Sequence, residues 1–367
     1  MAASGVTERG ERTLINSTWV AVKKLLVLRL DNIGDVIMTS PVLQALKQNL
    51  PQVHLTLLAS PGGSLAAPLL PWIDQVIPWR TLWQDLGSLD FNPDREWQLI
   101  KTLANEQFDA AIILTSFSQS PHPAALVCQL AGIPLRLGES KETGGEVLTH
   151  EITSAPDQLH QVDRNLRLIE SVGFEVSERS LMISIPATAQ QSINQLLKTH
   201  GLGIDTPYLL LNPRTSCPSR NYEPLRFAIA ADRLAQITGY PVLVTGVEND
   251  RKSCEQLLEI LGDRGIDLIG KTNLSELAAL VSRASLLLSN NTSTMHLADA
   301  TGTPSVILFA GTELEGQWQP RSCPLRLLRR PTPCSPCYAF TCRYELECLD
   351  IEPEEVVAAG LELLRQR

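Results

Sequence analysis

No run of apolar residues in the 367-residue chain approaches the roughly 20 that a helix needs to cross a bilayer, so no transmembrane segment is expected. A basic excess is also missing. Lys and Arg number 31 against 40 Asp and Glu, leaving a net charge of -9. A general nucleic-acid binder needs a basic face to neutralise phosphates and is excluded, whereas a local basic pocket for an anionic ligand is not. The N-terminal stretch carries Glu8 and Glu11 and has no uninterrupted apolar core, so it does not read as a signal peptide. Residues 1–22 read as a flexible tail. Without a secretion signal, a disulfide framework is not the default for the eight cysteines. The expected location is the cytoplasm, with at most peripheral contact at the inner face of the membrane. No GxGxxG follows the first strand, so the dinucleotide fingerprint is absent, and no tandem repeat is visible.

What is present is a long alternation of apolar strands and amphipathic helices. Leu25 to Leu30, Val53 to Ala59 and Ala110 to Leu114 read as strands, and a helix from Val36 carries Leu43, Leu46 and Leu50 on one face. A second set starts at Tyr208 to Leu211 and continues with Val242 to Thr245, Leu268-Ile269-Gly270, Leu286 to Leu288 and Val306 to Phe309. Such alternation predicts doubly wound parallel sheets. The predicted organisation is an N-terminal Rossmann-like domain over residues 23–190, a C-terminal one over 200–350, and a closing helix over 351–367 that packs back on the N-terminal domain.

Candidate chemistry lies in the loops at the carboxyl ends of these strands, where open α/β sheets bind ligands. In Asn32-Ile33-Gly34-Asp35, Gly34 permits a tight turn or close approach. Asp35 has two readings, a helix N-cap and a general base for an attacking hydroxyl. From this loop alone the cap reading leads. The loop after Leu211 offers Arg214, Ser216, Ser219 and Arg220, a set suited to a diphosphate, or simply a solvated loop. Glu248 and Asp250 suit a ribose diol or a helix cap, and Lys271 is an anion contact or ordinary surface. Asn291-Thr292-Ser293 leads into a helix whose N-terminus suits a phosphate, and His296 in its first turn is either a ligand contact or a satisfied core histidine. Cys334, Cys337, Cys342 and Cys348 are four thiols within fifteen residues, open to a structural zinc ion, to disulfides or to plain burial. No His or carboxylate cluster accompanies them, so a catalytic metal is not expected.

These pieces together resemble glycosyltransferase family 9, the heptosyltransferases of lipopolysaccharide core assembly. The resemblance covers nearly the whole chain from Lys24 and rests on three stretches in order. They are LLVLRLDNIGDVIMTSPVLQALKQNLP, SNNTSTMHLADATGTPSVILFAGT, and PCSPCYAFTCRYELECL with the helix that follows it. It implies a GT-B architecture, with acceptor bound mainly by the N-terminal domain near Asn32 and Gly34 and nucleotide sugar by the C-terminal one. It implies inverting transfer that requires no cofactor, from ADP-heptose to a lipid-linked glycan. By position, Asp35 matches the family's proposed base, Arg220 a phosphate-contacting cation, and Asn291, Thr292, Ser293 and His296 the donor motif. The chain departs from the family at three places. Asn291 and Ser293 stand where the family commonly has Asp and Gly, and Arg214 stands where Gly is usual. Rival readings from other classes are a nucleotide-sugar epimerase and a nucleotide-sugar-binding protein without catalysis.

Overall fold

In the computed structural model, which describes residues 16–85, 87–142 and 145–366, the chain builds two six-stranded sheets that are parallel throughout. The first contains β1 (Lys24–Arg29), β2 (His54–Ala59), β3 (Gln75–Pro78), β4 (Ala110–Ile113), β5 (Leu135–Ser140) and β6 (His150–Thr153), in the order β3-β2-β1-β4-β5-β6. The second contains β7 (Leu209–Asn212), β8 (Val242–Val244), β9 (Gly265–Asp267), β10 (Leu286–Asn290), β11 (Ser305–Leu308) and β12 (Leu325–Leu328), in the order β12-β11-β10-β7-β8-β9. Counted from its own first strand, each sheet has the order 3-2-1-4-5-6 of the Rossmann fold. The order in which strands are added therefore reverses beside β1 in one sheet and beside β7 in the other. These two switch points are where ligand crevices open.

The strands read as continuous apolar runs because both faces of each sheet are covered. Within β1, Leu25 and Val27 pack into one apolar cluster while Leu26 and Leu28 pack into another. The first of these clusters continues through Ile193 and Leu197 of the connecting helix Ala187–Thr199 to Leu287 and Ile307 of the second sheet, so a single apolar body joins the two halves.

Three expectations are corrected. Residues 16–22 are not a tail. Asn16 caps a short helix, Ser17–Val20, and Trp19 is fully buried edge-on to Phe174 and His150, because the indole supplies apolar area that the sheet edge leaves open. Residues 1–15 of that predicted tail lie outside the described residues. The closing helix, Pro353–Arg365, does not pack on the N-terminal domain. Its Val356, Ala359 and Leu363 join the second sheet's core, and Glu354, Glu355 and Glu362 pair with Arg233, Arg330 and Arg326. Charge and apolar stripe thus both select the C-terminal half. The strand placed at Leu268-Ile269-Gly270 lies earlier, at Gly265–Asp267. This edge strand pairs only with β8, so it has no need of an apolar sequence, while Leu268 and Ile269 are buried beyond its end.

Candidate active site

Both switch points open onto one cleft of about 240 Å³. From the N-terminal half it is lined by Asn32, Ile33, Gly34, Asp35 and Gly62. From the C-terminal half come Ser216, Arg220, the turn Asn291–Ser293, Met295, His296, Glu313 and Trp318.

Asp35 sits in the first turn of the helix Ile33–Ile37. Its Oδ2 accepts the Asn32 backbone N–H at 3.2 Å, which satisfies a helix end, and its Oδ1 accepts from Arg29 Nη2 at 3.0 Å. Asn32, not Asp35, is thus the N-cap, and Asp35 is the N3 member of a capping box whose carboxylate also lines the cleft. Arg29 is the last residue of β1 and is completely buried, with its Nε 2.9 Å from Asp31. Asp31 also accepts from Gln84 at 2.9 Å and Gln119 at 2.5 Å. Burial raises the Asp31 carboxyl above its ordinary range, Arg29 opposes this, and Asp35 reinforces it. One buried guanidinium thus compensates two carboxylates and fixes the direction of Asp35.

Across the cleft, Arg220 ends the short 3-10 turn Pro218–Arg220. Its Nε donates to Thr312 Oγ1 at 3.2 Å and its Nη2 to Glu313 at 2.6 Å. Asn290, at the end of β10, ties the loops together by accepting from the Tyr222 N–H and donating to the Pro213 carbonyl. Its neighbour Asn291 accepts from the Ala310 N–H at 3.1 Å, which leaves its buried Nδ2 turned toward Glu313 but without a partner in good hydrogen-bond geometry. A buried amide donor left unpaired costs about 1–3 kcal/mol, so this one is suited to an oxygen acceptor brought by a ligand. Thr292 is the N-cap residue of the helix Ser293–Thr301 but makes no side-chain cap bond, so the first N–H groups of that helix remain available.

His296 is buried behind this turn. Burial pushes its imidazole down to about 3, with His160 and Arg220 acting in the same direction, so near neutrality the ring carries no charge. It packs against Gly34 so closely that a Cβ there would lie 2.7 Å from His296 Cδ2. Gly34 is therefore required by the approach of the two halves. A second bridge joins them at His160, whose Nε2 donates to the Gln319 carbonyl at 3.0 Å. This assignment follows because its Nδ1 accepts from the Val162 N–H.

The cleft gathers Asn32, Gly34, Asp35, Ser216, Arg220, Asn291, Thr292, Ser293 and His296, and it leaves five sequence candidates outside its lining, among them Ser219, which donates to the Ala339 carbonyl and lines the cavity of the thiols. Arg214 borders a separate depression with Arg226 and Asp350. Glu248 pairs with Arg251 at 2.6 Å, Asp250 accepts the Val247 N–H at 3.0 Å, and Lys271 donates to the Asp267 carbonyl at 2.7 Å. The four clustered thiols line one cavity of about 400 Å³ behind Gly311 and Thr312. Among the described residues, however, no three His, Cys, Asp or Glu side chains stand in metal-holding geometry. Arg326, Arg329 and Arg330 pair with Glu362, Glu315 and Glu355. No helix among the described residues is long and apolar enough to cross a membrane. Two residues that sequence reasoning passed over are central, Arg29 and Glu313. The signal for Arg29 was a guanidinium inside an otherwise apolar strand. The signal for Glu313 was a carboxylate just past the carboxyl end of β11.

The family model for glycosyltransferase family 9 (heptosyltransferase) matches residues 96–347. The lipopolysaccharide core heptosyltransferase OpsX of Haemophilus influenzae is 25% identical over 297 residues, 79% of this chain and 80% of that protein. The crystal structure of a family 9 glycosyltransferase from Veillonella parvula superposes with a TM-score of 0.78 at 21% identity, covering 95% of this chain and 99% of the other. The E. coli ADP-heptose lps heptosyltransferase II superposes with a TM-score of 0.73 at 20% identity, covering 94% and 99%. The two facing Rossmann-like halves are those of the GT-B architecture. With a family match over well more than half of the chain, the protein belongs to glycosyltransferase family 9 and is a glycosyltransferase.

Proposed function

We propose that the protein moves a heptose from ADP-heptose to a lipopolysaccharide-type or other envelope glycan, with inversion and without a catalytic metal, on the cytoplasmic side of the inner membrane. The observation that carries this reading is the pairing of opposites across one cleft, with Asp35 on the N-terminal side and Arg220, the unpaired Asn291 amide and an uncapped helix end on the other. Nothing but a carboxylate is needed to accept a proton from an attacking hydroxyl. Cationic and N–H donors suit a diphosphate that gains negative charge as it departs.

In this reading the acceptor hydroxyl attacks the anomeric carbon from the face opposite the diphosphate. The new C–O bond forms as the bond to the diphosphate oxygen breaks. The hydroxyl proton passes to Asp35, whose Oδ atoms are held by Arg29 and the Asn32 N–H. ADP leaves with the bond electrons, held by Arg220, Asn291 Nδ2 and the N–H groups at Ser293. The nucleoside extends along the strand ends toward β8, where Glu248 and Asp250 meet the ribose and Lys271 lies beyond. His296 acts as a neutral wall behind the diphosphate. Cys334, Cys337, Cys342 and Cys348 line a separate cavity behind Gly311 and Thr312, and metal analysis of the purified protein tests for a structural zinc there.

The test is transfer from ADP-heptose to a core oligosaccharide lacking its outer heptoses, followed by mass spectrometry. Product is expected with the intact protein. With Asp35→Ala, product should be lost while ADP still binds. Full turnover in that variant would remove Asp35 as the base. Conversion of the donor without acceptor would favour an epimerase, and binding without any turnover would favour a non-catalytic protein.

A further inference from the structure

Glu313 has no place in the chemistry above, yet it lines the cleft. Its carboxylate holds the Arg220 guanidinium at 2.6 Å, with the Glu313 side chain 19% exposed and that of Arg220 28%. Asp35 faces it from the N-terminal half, Tyr338 from the Cys-rich loop, and the Asn291 amide from the end of β10. His296, beyond Arg220, is uncharged. The arrangement presents a difficulty for an anionic ligand, because the principal cation of the cleft is already neutralised.

We propose that Glu313 is the stand-in anion of the empty donor site, and that an entering diphosphate takes Arg220 from it and forces the released carboxyl to take up a proton. This rests on the reading of the cleft as a nucleoside-diphosphate site. The physical argument is charge crowding. Once Arg220 turns to the diphosphate, Glu313 loses its counterion in a buried place and gains a second anionic neighbour besides Asp35. All of these changes favour its neutral form. Burial already raises this carboxyl above its ordinary range, Asp35 adds to the rise, and Arg220 is the main opposing influence. Removing that influence leaves burial and Asp35, which favour protonation, opposed only by the Asn291 amide. Once protonated, Glu313 becomes a donor and can give its proton in a hydrogen bond to a phosphate oxygen, so the side chain changes from competitor to ligand.

Donor binding and proton uptake are therefore coupled, and the proton comes from solvent. The test is calorimetric titration of ADP into the intact protein at about pH 8, where the terminal phosphate (pKa roughly 6) is already ionised. It is run in two buffers of different ionisation enthalpy, for the wild type and for the Glu313→Gln and Glu313→Asp variants. Wild type should take up roughly half a proton or more per ADP bound, with affinity falling as pH rises. Glu313→Gln should bind ADP several-fold more tightly with no uptake, and Glu313→Asp should restore the uptake. A purely structural role for Glu313 would lower the affinity of both variants and move no protons. Wild-type binding without proton uptake, or the same uptake in Glu313→Gln, would overturn the proposal while leaving the donor site intact. ADP binding by neither wild type nor Glu313→Gln would overturn the reading of the cleft, and this proposal with it.

Discussion

The contact between Gly34 and His296 offers a direct perturbation of the cleft. A methyl group at position 34 would place its carbon 2.7 Å from His296 Cδ2, 3.3 Å from His296 Nε2 and 3.5 Å from Ser293 Cα. Carbon atoms pack at about 3.5–4.0 Å, so Gly34→Ala demands roughly 1 Å of separation between the turn that carries Asp35 and the helix that carries the donor groups. The imidazole cannot swing away cheaply, being buried behind the turn. Overpacking of this kind costs typically ~1–3 kcal/mol, and a misplacement of about 1 Å costs on the order of 10²-fold in rate. We expect Gly34→Ala to lower kcat by about that factor, to lower the melting temperature by a few degrees, and to leave ADP affinity within a few-fold. That last expectation follows because Arg220, Asn291 and Ser293 all belong to the other half. Steady-state transfer, differential scanning fluorimetry and ADP calorimetry report the three quantities. Wild-type kcat at an unchanged melting temperature would show that the two halves are not held at this contact, and the reasoning from close approach would fail.

Other perturbations follow from the same geometry. Arg29→Met should destabilise the protein by about 3–5 kcal/mol in chemical denaturation, because it leaves the half-buried Asp31 and Asp35 without their fully buried cation; Asp31→Asn in the same chain should recover part of the loss. Asn291→Asp removes the unpaired amide donor and sets a carboxylate beside Glu313, so ADP affinity should fall by about 10-fold or more, a change that calorimetry detects. Acid should unfold the protein through its buried histidines. His296 is held down to about 3 and His160 to about 4, so below the ordinary value of 6.5 the unfolded chain binds protons that the folded one refuses. Stability then falls as pH drops from 6.5 toward those values, by on the order of 2 kcal/mol per histidine at about pH 5. His160→Gln should flatten that decline in urea titrations between pH 7 and 5, and an undiminished slope would contradict the assignment.

The elements were legible because a parallel strand covered on both faces must be apolar along its whole length, as Leu25–Leu28 and Leu286–Leu288 are. Edge strands lack that constraint. Gly265–Asp267 pairs on one side only, and the more apolar Leu268-Ile269 beside it attracted the assignment. Destination was less legible than existence. The stripe of Val356, Ala359 and Leu363 says that the closing helix buries a face, but its partner, the second sheet's core with Arg233, Arg326 and Arg330 at its rim, is built from residues elsewhere in the chain. Trp19, set among Ser17, Thr18 and Val20, carries no periodic signal at all, and only the finished fold supplies the pocket that it fills.

The site shows the same division for a topological reason. Each sheet opens a crevice beside its first strand, and the loops that meet there follow β1, β2, β7, β10 and β11. Sequence could recognise that each strand end carries a polar loop, and so it marked Asp35, Arg220 and Asn291 along with Glu248 and Lys271. It could not rank those loops, because rank depends on strand order. Glu248 follows β8 and Lys271 follows β9, one and two strands beyond the crevice, at ~4.8 Å per strand. The residues that sequence passed over are those whose meaning lies in a partner. The role of Arg29 is visible only against Asp31 and Asp35, and that of Glu313 only against Arg220. Charge in this cleft is arranged in pairs, Arg29 with Asp35 on one wall and Arg220 with Glu313 on the other. The first pair has no competitor and, in the proposed reaction, would hold Asp35 in place as the base. The second would have to open for an anionic donor to enter, so the two ion pairs, similar in composition, serve opposite ends.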